Sequence, residues 1–328
     1  MINWGIIGCG NVTEIKSGPA FNRVSGSRLL AVMRRNRALA EDYARRHGVP
    51  KVYDNAGDLI KDPDINAVYI ATPPGSHREY ALEVIKAGKP VYIEKPMALN
   101  HNECEEINRA ASTRKVPVFV AYYRRTLPGF EKVKELIESG TVGQVRYVNM
   151  KLFKAPSDDE RSGKLPWRVR PEISGAGHFF DLASHQLDWL DYLLGPAINV
   201  RSVAMNHGKL YSAEDFVTAS ILYPDNIVFT GTWCFSLSQE NNTDVIEIYG
   251  DKGNIKFSCF TFEPIILTNS YGIREYINER PVNVQFFLIE AIVKALEGKG
   301  ESPSTGITAA RTSKLMDEIV ADYYKNIK

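Results

Sequence analysis

One stretch near the start of the chain decides the fold, Trp4-Gly5-Ile6-Ile7-Gly8-Cys9-Gly10-Asn11-Val12-Thr13. Its apolar run is typical of a strand, its glycines permit a tight turn, and the residues after them can open a helix. The N–H groups and the dipole at such a helix start bind phosphate. The stretch therefore predicts a turn that holds the pyrophosphate of a dinucleotide through Gly8, Gly10, Asn11 and Val12. An ordinary βα turn is the alternative, because Thr13 stands where the motif has its third glycine.

The length and composition of the chain indicate a globular protein of about two domains. Its 328 residues are 44% hydrophobic, and 40 basic against 39 acidic residues give a net charge of +1. A balance so close to neutral creates no overall field that attracts nucleic acid or an anionic membrane. The first residues lack a signal-peptide pattern, and no apolar run approaches the roughly 20 residues of a membrane span. We therefore expect a cytoplasmic protein with a small-molecule ligand and neither nucleic acid nor membrane as partner.

The cysteines are widely spaced and include no Cys-x-x-Cys pair: Cys9, Cys104, Cys234 and Cys259. Such spacing is typical neither of a zinc knuckle nor of a disulfide framework. We therefore expect thiols in a reducing cytoplasm.

Strand-like and helical patterns alternate up to residue 122. Apolar runs at 29–33, 67–71, 91–93 and 118–120 are separated by helical patterns at 37–47, 78–87 and 103–113. This alternation predicts right-handed βαβ units and a parallel sheet. Ligands of such sheets bind outside the carboxyl ends of the strands, so the turns after the strands are the candidates for chemistry.

The turn after the second strand is basic. NAD-binding domains usually carry an acidic residue there to accept hydrogen bonds from the ribose hydroxyls. This chain has Arg34 and Arg35 instead, and its nearest downstream acid is Glu41. Guanidinium groups suit a 2′-phosphate. The sequence therefore predicts a preference for NADP(H), with NAD(H) as the alternative cofactor and solvated arginines as the alternative interpretation.

Two later turns also face this edge. In Ala71-Thr72-Pro73-Pro74-Gly75-Ser76-His77, the prolines and a Ser76 helix cap explain the turn structurally, while the position of the turn predicts that it lines the cofactor channel. In Glu94-Lys95-Pro96, the proline restricts Lys95 to extended geometries and so presents its ammonium in one direction. A solvated surface lysine is the alternative for Lys95.

Beyond Tyr122 the pattern changes. A helical segment at 128–139 precedes strand-like segments at 144–154, 217–223, 227–235 and 245–249, and Asp251-Lys252-Gly253-Asn254 predicts a hairpin turn. Few helices interrupt these strands, which favours an antiparallel sheet. We divide the chain into domains 1–122 and 123–328. Helices at 284–296 and 307–324 close it, and the sequence does not decide on which domain the last one docks.

The polar segment 155–177 precedes a helix with a chemical pattern. Its run Asp158-Asp159-Glu160-Arg161 is predicted to be solvated. Trp167 and Arg168 are candidates to bind a sugar-like substrate, because indole faces stack on sugar rings and guanidinium groups hold oxyanions and hydroxyls. A tryptophan that merely packs in a core is the alternative.

Asp181 and His185 are four residues apart on this helix and therefore share a face. A carboxylate near an imidazole orients it and raises its basicity, which suits a general acid/base near neutral pH. A surface ion pair and a zinc site with a third ligand are the alternatives. The ammonium of Lys95 at the same site would repel a metal ion, so we predict no metal. His178 and Asp188 are interpreted either as structural residues or as supports of the residues that contact the substrate.

Together these stretches resemble the glucose-fructose oxidoreductase/inositol dehydrogenase/rhizopine-catabolism family, Gfo/Idh/MocA. The resemblance is carried by the glycine turn, the 71–77 turn, Glu94-Lys95-Pro96 and the motif Gly175-Ala176-Gly177-x-x-x-Asp181-x-x-x-His185. It implies an α/β protein: an N-terminal Rossmann parallel sheet, then an α/β domain with a large, mostly antiparallel open sheet. It also implies a nicotinamide cofactor between the domains and a homodimer or homotetramer.

The resulting hypothesis is an NAD(P)-dependent oxidoreductase acting on a CH–OH group of a sugar, polyol or related hydroxy/carbonyl compound. Its catalytic residues are Lys95, Asp181 and His185, which also bind substrate with Trp167 and Arg168. Its cofactor residues are Gly8, Gly10, Asn11, Val12, Arg34, Arg35, Thr72, Pro73, His77, Glu94 and Lys95. The resemblance leaves two alternatives, a dinucleotide-binding regulator without catalysis and an NAD-assisted glycosidase.

Overall fold

The computed structural model describes residues 1–325, which form two compact units. The first consists of Met1–Thr126 and Pro281–Ser313, and the second consists of Leu127–Arg280 and the chain from Lys314 onward. The first unit thus contains the N-terminal part of the chain together with a segment from its C-terminal part. The division into domains 1–122 and 123–328 stays a prediction.

Six strands form the sheet of the first unit: β1 (Ile2–Ile7), β2 (Ser27–Met33), β3 (Lys51–Tyr53), β4 (Ala67–Ile70), β5 (Val91–Ile93) and β6 (Val118–Val120). Their order is β3-β2-β1-β4-β5-β6, and every neighbouring pair is parallel. This is the strand order of a Rossmann domain, with the switch point between β1 and β4. The predicted parallel sheet is confirmed.

Helices cover this sheet: α1 (Asn11–Ile15), α2 (Gly18–Arg23), α3 (Arg37–His47), α4 (Ala56–Lys61), α5 (His77–Lys86) and α6 (His101–Arg114), with 3₁₀ turns at Pro74–Ser76 and Tyr123–Thr126. Asparagines set the starts of three of them. The side chains of Asn36, Asn55 and Asn100 accept hydrogen bonds from backbone N–H groups in the first turns of α3, α4 and α6. Gly48 ends α3 at a φ of 65°.

The second unit contains an eight-stranded sheet: β7 (Val145–Phe153), β8 (Asn199–Met205), β9 (Phe216–Leu222), β10 (Val228–Cys234), β11 (Thr243–Gly250), β12 (Gly253–Phe257), β13 (Ile265–Asn269) and β14 (Gly272–Tyr276). Their order is β14-β13-β12-β11-β7-β10-β9-β8. Only β7 and β10 pair in parallel. The predicted large, mostly antiparallel sheet is confirmed, and so is the hairpin turn between β11 and β12.

The helices of this unit are α7 (Pro128–Glu138), α8 (Asp158–Arg161), α9 (Pro171–Ser174) and α10 (His178–Leu194), with 3₁₀ turns at Trp167–Val169, Pro224–Asn226 and Gln239–Asn241. The longest of them, α10, packs on the sheet. The ring of Phe179 meets that of Trp233 with centroids 5.0 Å apart, and the Trp233 indole N–H donates to Gln186 Oε1 at 2.7 Å. These buried contacts fix the helix against β10.

Two helices close the chain, α11 (Phe286–Leu296) and α12 (Gly306–Lys325). The guanidinium of Arg23 lies 5.6 Å from the centroid of Phe286, which joins α11 to α2 in the first unit. The sequence left the docking of the last helix open. Its residues up to Ser313 belong to the first unit, and those from Lys314 belong to the second.

We expect Phe179→Ala to lower the free energy of unfolding of the second unit by about 3–5 kcal/mol, because it removes a fully buried ring and leaves a cavity. Tyr271→Ala is the matched control, since this aromatic side chain is 96% exposed and its loss should cost less than about 0.5 kcal/mol. Urea unfolding followed by circular dichroism measures both. Equal shifts of the unfolding midpoint would contradict the packing of α10.

Candidate functional site

The turns after four strands lie side by side at the carboxyl edge of the first sheet. Each turn begins with a backbone N–H that donates to the last residue of a neighbouring strand. Gly8 N–H bonds Met33 O at 2.9 Å, Ala71 N–H bonds Ile7 O at 2.9 Å, and Glu94 N–H bonds Ile70 O at 2.9 Å. The structure therefore brings together the predicted cofactor residues of the first unit.

The glycine turn brings its backbone close to the turn after β4. Gly8 has a φ of +91°, and a Cβ there would come within 2.6 Å of Thr72 Cγ2, so any other residue would collide with the next turn. Gly10 is extended and precedes α1. Asn11 is exposed and Val12 half-buried at the start of that helix. These features fit a dinucleotide, which residues 8–12 would hold by backbone N–H groups.

Thr13 supports this turn in place of the third glycine. It is fully buried, and its hydroxyl accepts from Gly10 N–H at 3.1 Å and donates to Gly10 O at 2.8 Å. The hydroxyl of Tyr43 in turn donates to Thr13 O at 2.9 Å. Burial raises the pKa of Tyr43 to about 12, so the donor keeps its proton. Side-chain capping by Thr13 thus fixes the glycine turn.

Arg34 and Arg35 are exposed after β2, at the same edge. The Arg34 Nη1 lies 3.5 Å from Cys9 O, directly beside the glycine turn. The next arginine differs, because Arg37 is paired with Glu41 at 2.9 Å and with Asp54 at 3.5 Å.

His77 is buried between two turns. Its Nε2 lies 2.7 Å from Thr72 O and its Nδ1 lies 3.0 Å from Pro96 O. Burial lowers the pKa of His77, against the opposing effect of the contacts with the carbonyls of Thr72 and Pro96. The imidazole therefore joins the turn after β4, with its exposed Pro73, to the turn after β5.

Glu94 is held by a buried network that the sequence did not reveal. Its carboxylate accepts from the hydroxyl of Tyr69, from Gln285 Nε2 at 2.6 Å and from Lys95 N–H at 3.2 Å. The Gln285 Oε1 accepts from the hydroxyl of Tyr92 at 2.7 Å. Gln285 lies next to α11, so the C-terminal segment orients the carboxylate that precedes Lys95. The Lys95 side chain is itself half-buried.

Helix α10 carries the second set of predicted residues. The Asp181 carboxylate accepts from Arg168 Nε at 3.0 Å, and the Arg168 guanidinium lies 4.5 Å from the centroid of the Trp167 ring. His185 follows one turn later on α10 and is 3% exposed. The structure therefore brings Trp167, Arg168 and Asp181 together at the start of this helix. Lys95 belongs to the other unit.

The prediction that the run Asp158-Asp159-Glu160-Arg161 is solvated is wrong for Glu160. Its side chain is buried and accepts from Ser157 N–H at 2.7 Å and the Ser157 hydroxyl at 2.7 Å. The His178 Nε2 lies 2.6 Å from its other oxygen, and this contact lowers the pKa of Glu160 to about 2. The short helix α8 turns this one residue of the run inward, so Glu160 ties the 155–177 segment to α10.

Within residues 1–325, no group of three or more His, Cys, Asp or Glu side chains is placed to hold a metal ion. The predicted absence of a metal stays a prediction. The four cysteines are buried thiols. No helix of the described chain has the length and apolar character to cross a membrane.

Known proteins resemble the chain along its whole length. A model described as an oxidoreductase family with an NAD-binding Rossmann fold matches residues 2–122, and the GFO/IDH/MocA C-terminal domain matches residues 130–256. Oxidoreductase P35 of Formosa agariphila is 40% identical over 317 residues, or 96% of this chain and 97% of that protein. The 1,5-anhydro-D-fructose reductase of Ensifer adhaerens is 26% identical over 321 residues, covering 93% of this chain and 91% of that protein.

The chain belongs to the Gfo/Idh/MocA oxidoreductase family. The family resemblance predicted from the sequence is confirmed, and so is the oxidoreductase class with its NAD-binding Rossmann fold. A levoglucosan dehydrogenase in complex with NADH has the same fold as this Gfo/Idh/MocA chain. The TM-score is 0.89 at 23% identity, over 99% of this chain and 97% of that one.

We expect Thr13→Ala to raise the Kd of both NADPH and NADH about 2- to 30-fold, because loss of a helix cap costs about 0.5–2 kcal/mol. The variant leaves Gly10 N–H without its side-chain partner. Thr13→Ser should bind almost as the wild type does. Thr113→Ala is the control, since its hydroxyl donates to Arg109 O on an exposed helix. Titration by nucleotide fluorescence measures all three, and an unchanged Kd for Thr13→Ala would show that the cap does not support the turn.

Proposed function

We propose that the protein is an NADP(H)-preferring oxidoreductase that transfers hydride between the nicotinamide and a CH–OH or carbonyl carbon of a sugar, polyol or related compound. The observation that carries this proposal is the group at the start of α10: an indole, a guanidinium and a carboxylate in contact, one turn from His185. Such a group suits a polyhydroxylated substrate, because it offers an apolar face, donors and acceptors together. The names of the relatives, 1,5-anhydro-D-fructose reductase and levoglucosan dehydrogenase, support a sugar-like substrate.

His185 is the proposed general acid/base. A positioned imidazole can exchange a proton with a substrate hydroxyl, and acid–base catalysis of this kind contributes about 10²–10⁴-fold. Asp181 orients His185 or a neighbouring substrate hydroxyl, while its hydrogen bond from Arg168 fixes its own position. Arg168 and Trp167 bind the substrate.

Lys95 is the proposed electrostatic catalyst. Its ammonium donates a hydrogen bond to the reacting oxygen and stabilises the negative charge that develops there. The bound nicotinamide supplies or accepts the hydride. The network of Glu94, Gln285 and Tyr69 supports this role, because it fixes the backbone from which Lys95 projects.

The proposed cofactor contacts follow the carboxyl edge of the first sheet. Gly8, Gly10, Asn11 and Val12 hold the pyrophosphate, while Thr72 and Pro73 line the channel toward the nicotinamide. Glu94 and Lys95 face its reactive end, and His77 acts by bracing the two turns between which it is buried. The preference for NADP(H) rests on Arg34 and Arg35, whose exposure leaves them available to a 2′-phosphate.

A cytoplasmic homodimer or homotetramer is part of the proposal. The buried thiols of the four cysteines support a reducing compartment. One face of the second sheet supports self-association, because apolar side chains are exposed on it: Val203, Met205, Val228 and Tyr249.

The experiment that tests the function is a screen of polyols, aldoses, ketoses and inositols, in both directions, with NADP(H) and NAD(H). The proposal expects stoichiometric change of dinucleotide absorbance with at least one of them. Binding of dinucleotide without turnover on the whole panel would favour the regulator. Cofactor retained through dialysis together with glycoside cleavage and no net redox change would favour the glycosidase.

We expect Lys95→Ala to reduce kcat by at least about 10²–10³-fold, because the developing oxyanion loses its charged partner. The Kd of NADPH should stay within about twofold of the wild type, since backbone groups carry most of the cofactor contacts. Lys86→Ala on the exposed side of α5 is the matched control and should leave both constants unchanged. Single-turnover kinetics and NADPH titration are the measurements, and full activity of Lys95→Ala would refute its role.

We expect the double variant Arg34→Ala/Arg35→Ala to weaken NADPH binding about 10- to 100-fold, which is the loss expected for one or two exposed charge-assisted hydrogen bonds. Binding of NADH should change less than about threefold. Arg37→Ala is the control, because this arginine is already paired with Glu41 and Asp54. Calorimetric titration measures the Kd of each dinucleotide. Equal weakening of NADPH and NADH binding would mean that neither arginine contacts a 2′-phosphate.

A further inference from the structure

The start of α10 is bound by a carboxylate that lies outside the proposed catalytic set. Glu214 stands in the connection between β8 and β9 and is fully buried. Its Oε1 accepts a hydrogen bond from Gly177 N–H at 3.0 Å, at the residue that caps α10. Gly177 is four residues before Asp181 and eight before His185 on the chain.

Only glycine permits this approach. A Cβ at position 177 would come within 2.7 Å of Glu214 O and 3.0 Å of Ala213 Cβ. The backbone at the start of α10 therefore lies directly against the 213–214 segment. The glycine of the Gly175-Ala176-Gly177 motif thus serves close packing of the catalytic helix on this carboxylate.

The other oxygen of Glu214 is held from the end of the chain. The hydroxyl of Tyr324 on α12 donates to Oε2 at 2.6 Å. Burial raises the pKa of Tyr324 well above its usual value, so it remains a donor. Glu214 therefore bridges the first turn of α10 and the last turn of α12, with one oxygen bound to each.

The connection that carries Glu214 is itself fixed. The Asn206 side-chain amide donates to Tyr211 O at 2.5 Å and to Ala213 O at 2.8 Å. The carboxylate of Asp215 accepts from His207 N–H at 2.8 Å and Gly208 N–H at 2.6 Å. A closed loop of this kind presents Glu214 at one place, which a positioning role requires.

We propose that Glu214 is a positioning residue: through Gly177 and Tyr324 it fixes the first turn of α10 and hence the placement of Asp181 and His185. The proposal rests on the catalytic roles proposed above. According to this proposal, Tyr324 in the last turn of α12 affects turnover, although it is not among the residues proposed to contact substrate or cofactor. A negative charge at the start of α10 also interacts favourably with the helix dipole.

The protonation state of Glu214 supports this role near neutral pH. Burial raises its pKa to about 7, against the opposing effect of the hydrogen bonds from Tyr324 and Gly177. The carboxyl of Glu214 therefore gains its negative charge as the pH rises through the neutral range. The titratable groups around it are His178 on α10, Tyr211 and Asp215 in its own connection, Glu160 on α8, and Tyr323 and Tyr324 on α12. The ionised carboxylate accepts from both of its partners, whereas the protonated one loses charge-assisted bonding to Gly177.

Substitutions of both partners test the proposal. Glu214→Leu keeps the approximate volume and removes the acceptor, so we expect kcat to fall about 10- to 100-fold, as for a misplacement of about 1 Å. Amide exchange over residues 177–181 should accelerate in parallel, while the Kd of NADPH stays unchanged. Tyr324→Phe removes one hydroxyl and should lower kcat about two- to fivefold. Tyr271→Phe is the control, because this tyrosine lies in the turn between β13 and β14 and its side chain is 96% exposed. This control should change neither kcat nor exchange.

The conservative variant adds a pH test. Glu214→Gln retains an oxygen that accepts from Gly177 N–H but carries no charge. Its kcat should lie near that of the wild type at pH 6 and about fivefold below it at pH 8. The ratio of the wild-type kcat to the Glu214→Gln kcat should therefore rise as the pH increases through about 7. The assay uses NADPH with the panel substrate of highest kcat/KM.

Three outcomes would overturn the positioning role. They are unchanged kcat in both Glu214→Leu and Tyr324→Phe, faster exchange at 177–181 without loss of kcat, and a flat ratio of wild type to Glu214→Gln across pH. Should Glu214→Leu fail to fold, Tyr324→Phe and Glu214→Gln still decide. The variant His185→Asn distinguishes failure of the proposed function from failure of the positioning role. Full activity of His185→Asn would refute the proposed catalytic role of His185. Amide exchange at residues 177–181 in the Glu214 variants would still test whether Glu214 holds the start of α10.

Discussion

The proposed cofactor site of the first unit depends on one set of backbone hydrogen bonds. The N–H groups of Gly8, Ala71 and Glu94 each bond to the last carbonyl of a neighbouring strand, so the parallel ladder continues one residue into each turn. Those bonds fix where every turn begins, and a turn cannot shift without breaking the register of its strand. Side chains then support these turns. Thr13 bonds to Gly10 within the turn after β1. His77 contacts the turns after β4 and β5. The positions of the turns at the carboxyl edge thus follow from the strand register, and these side chains stabilise them.

The first unit is largely predictable from the sequence, because strands buried on both faces are continuous apolar runs and three of the helices between them begin at asparagine caps. Strands such as Val91–Ile93 and Val118–Val120 have the predicted bounds. Lys51–Tyr53 is equally short, but it begins with a lysine and is only half-buried, so it lacks the continuous apolar run by which the other strands are recognised. Thr13 shows the limit of motif reading. Its departure from glycine gives no hint that its hydroxyl would cap the same turn.

In the second unit, the sequence predicts arrangements between residues close in the chain but not contacts between distant ones. The sequence alone places Asp181 and His185 on one face of a helix, because they are four residues apart, about one helical turn. Glu214 cannot be placed in this way, because it lies 37 residues from Gly177 and 110 from Tyr324, and no local periodicity links positions so far apart. Glu160 is hidden differently. Charged runs are usually solvated, and only the fold of α8 turns one member of this run toward His178.

Three buried glutamates share one arrangement. Each accepts at least two hydrogen bonds, as a buried carboxylate requires. Each is also bonded to a segment that carries a proposed site residue: Glu94 to Lys95, Glu160 to His178 and Glu214 to Gly177. Burial of a charge with its partners adds little net stability compared with an apolar core of the same volume. What such groups add is direction, because a carboxylate holds its donors at fixed distances and angles. The polar interior around these three residues is therefore best understood as a frame for orienting side chains, and the stability of both units comes from the apolar faces of their sheets.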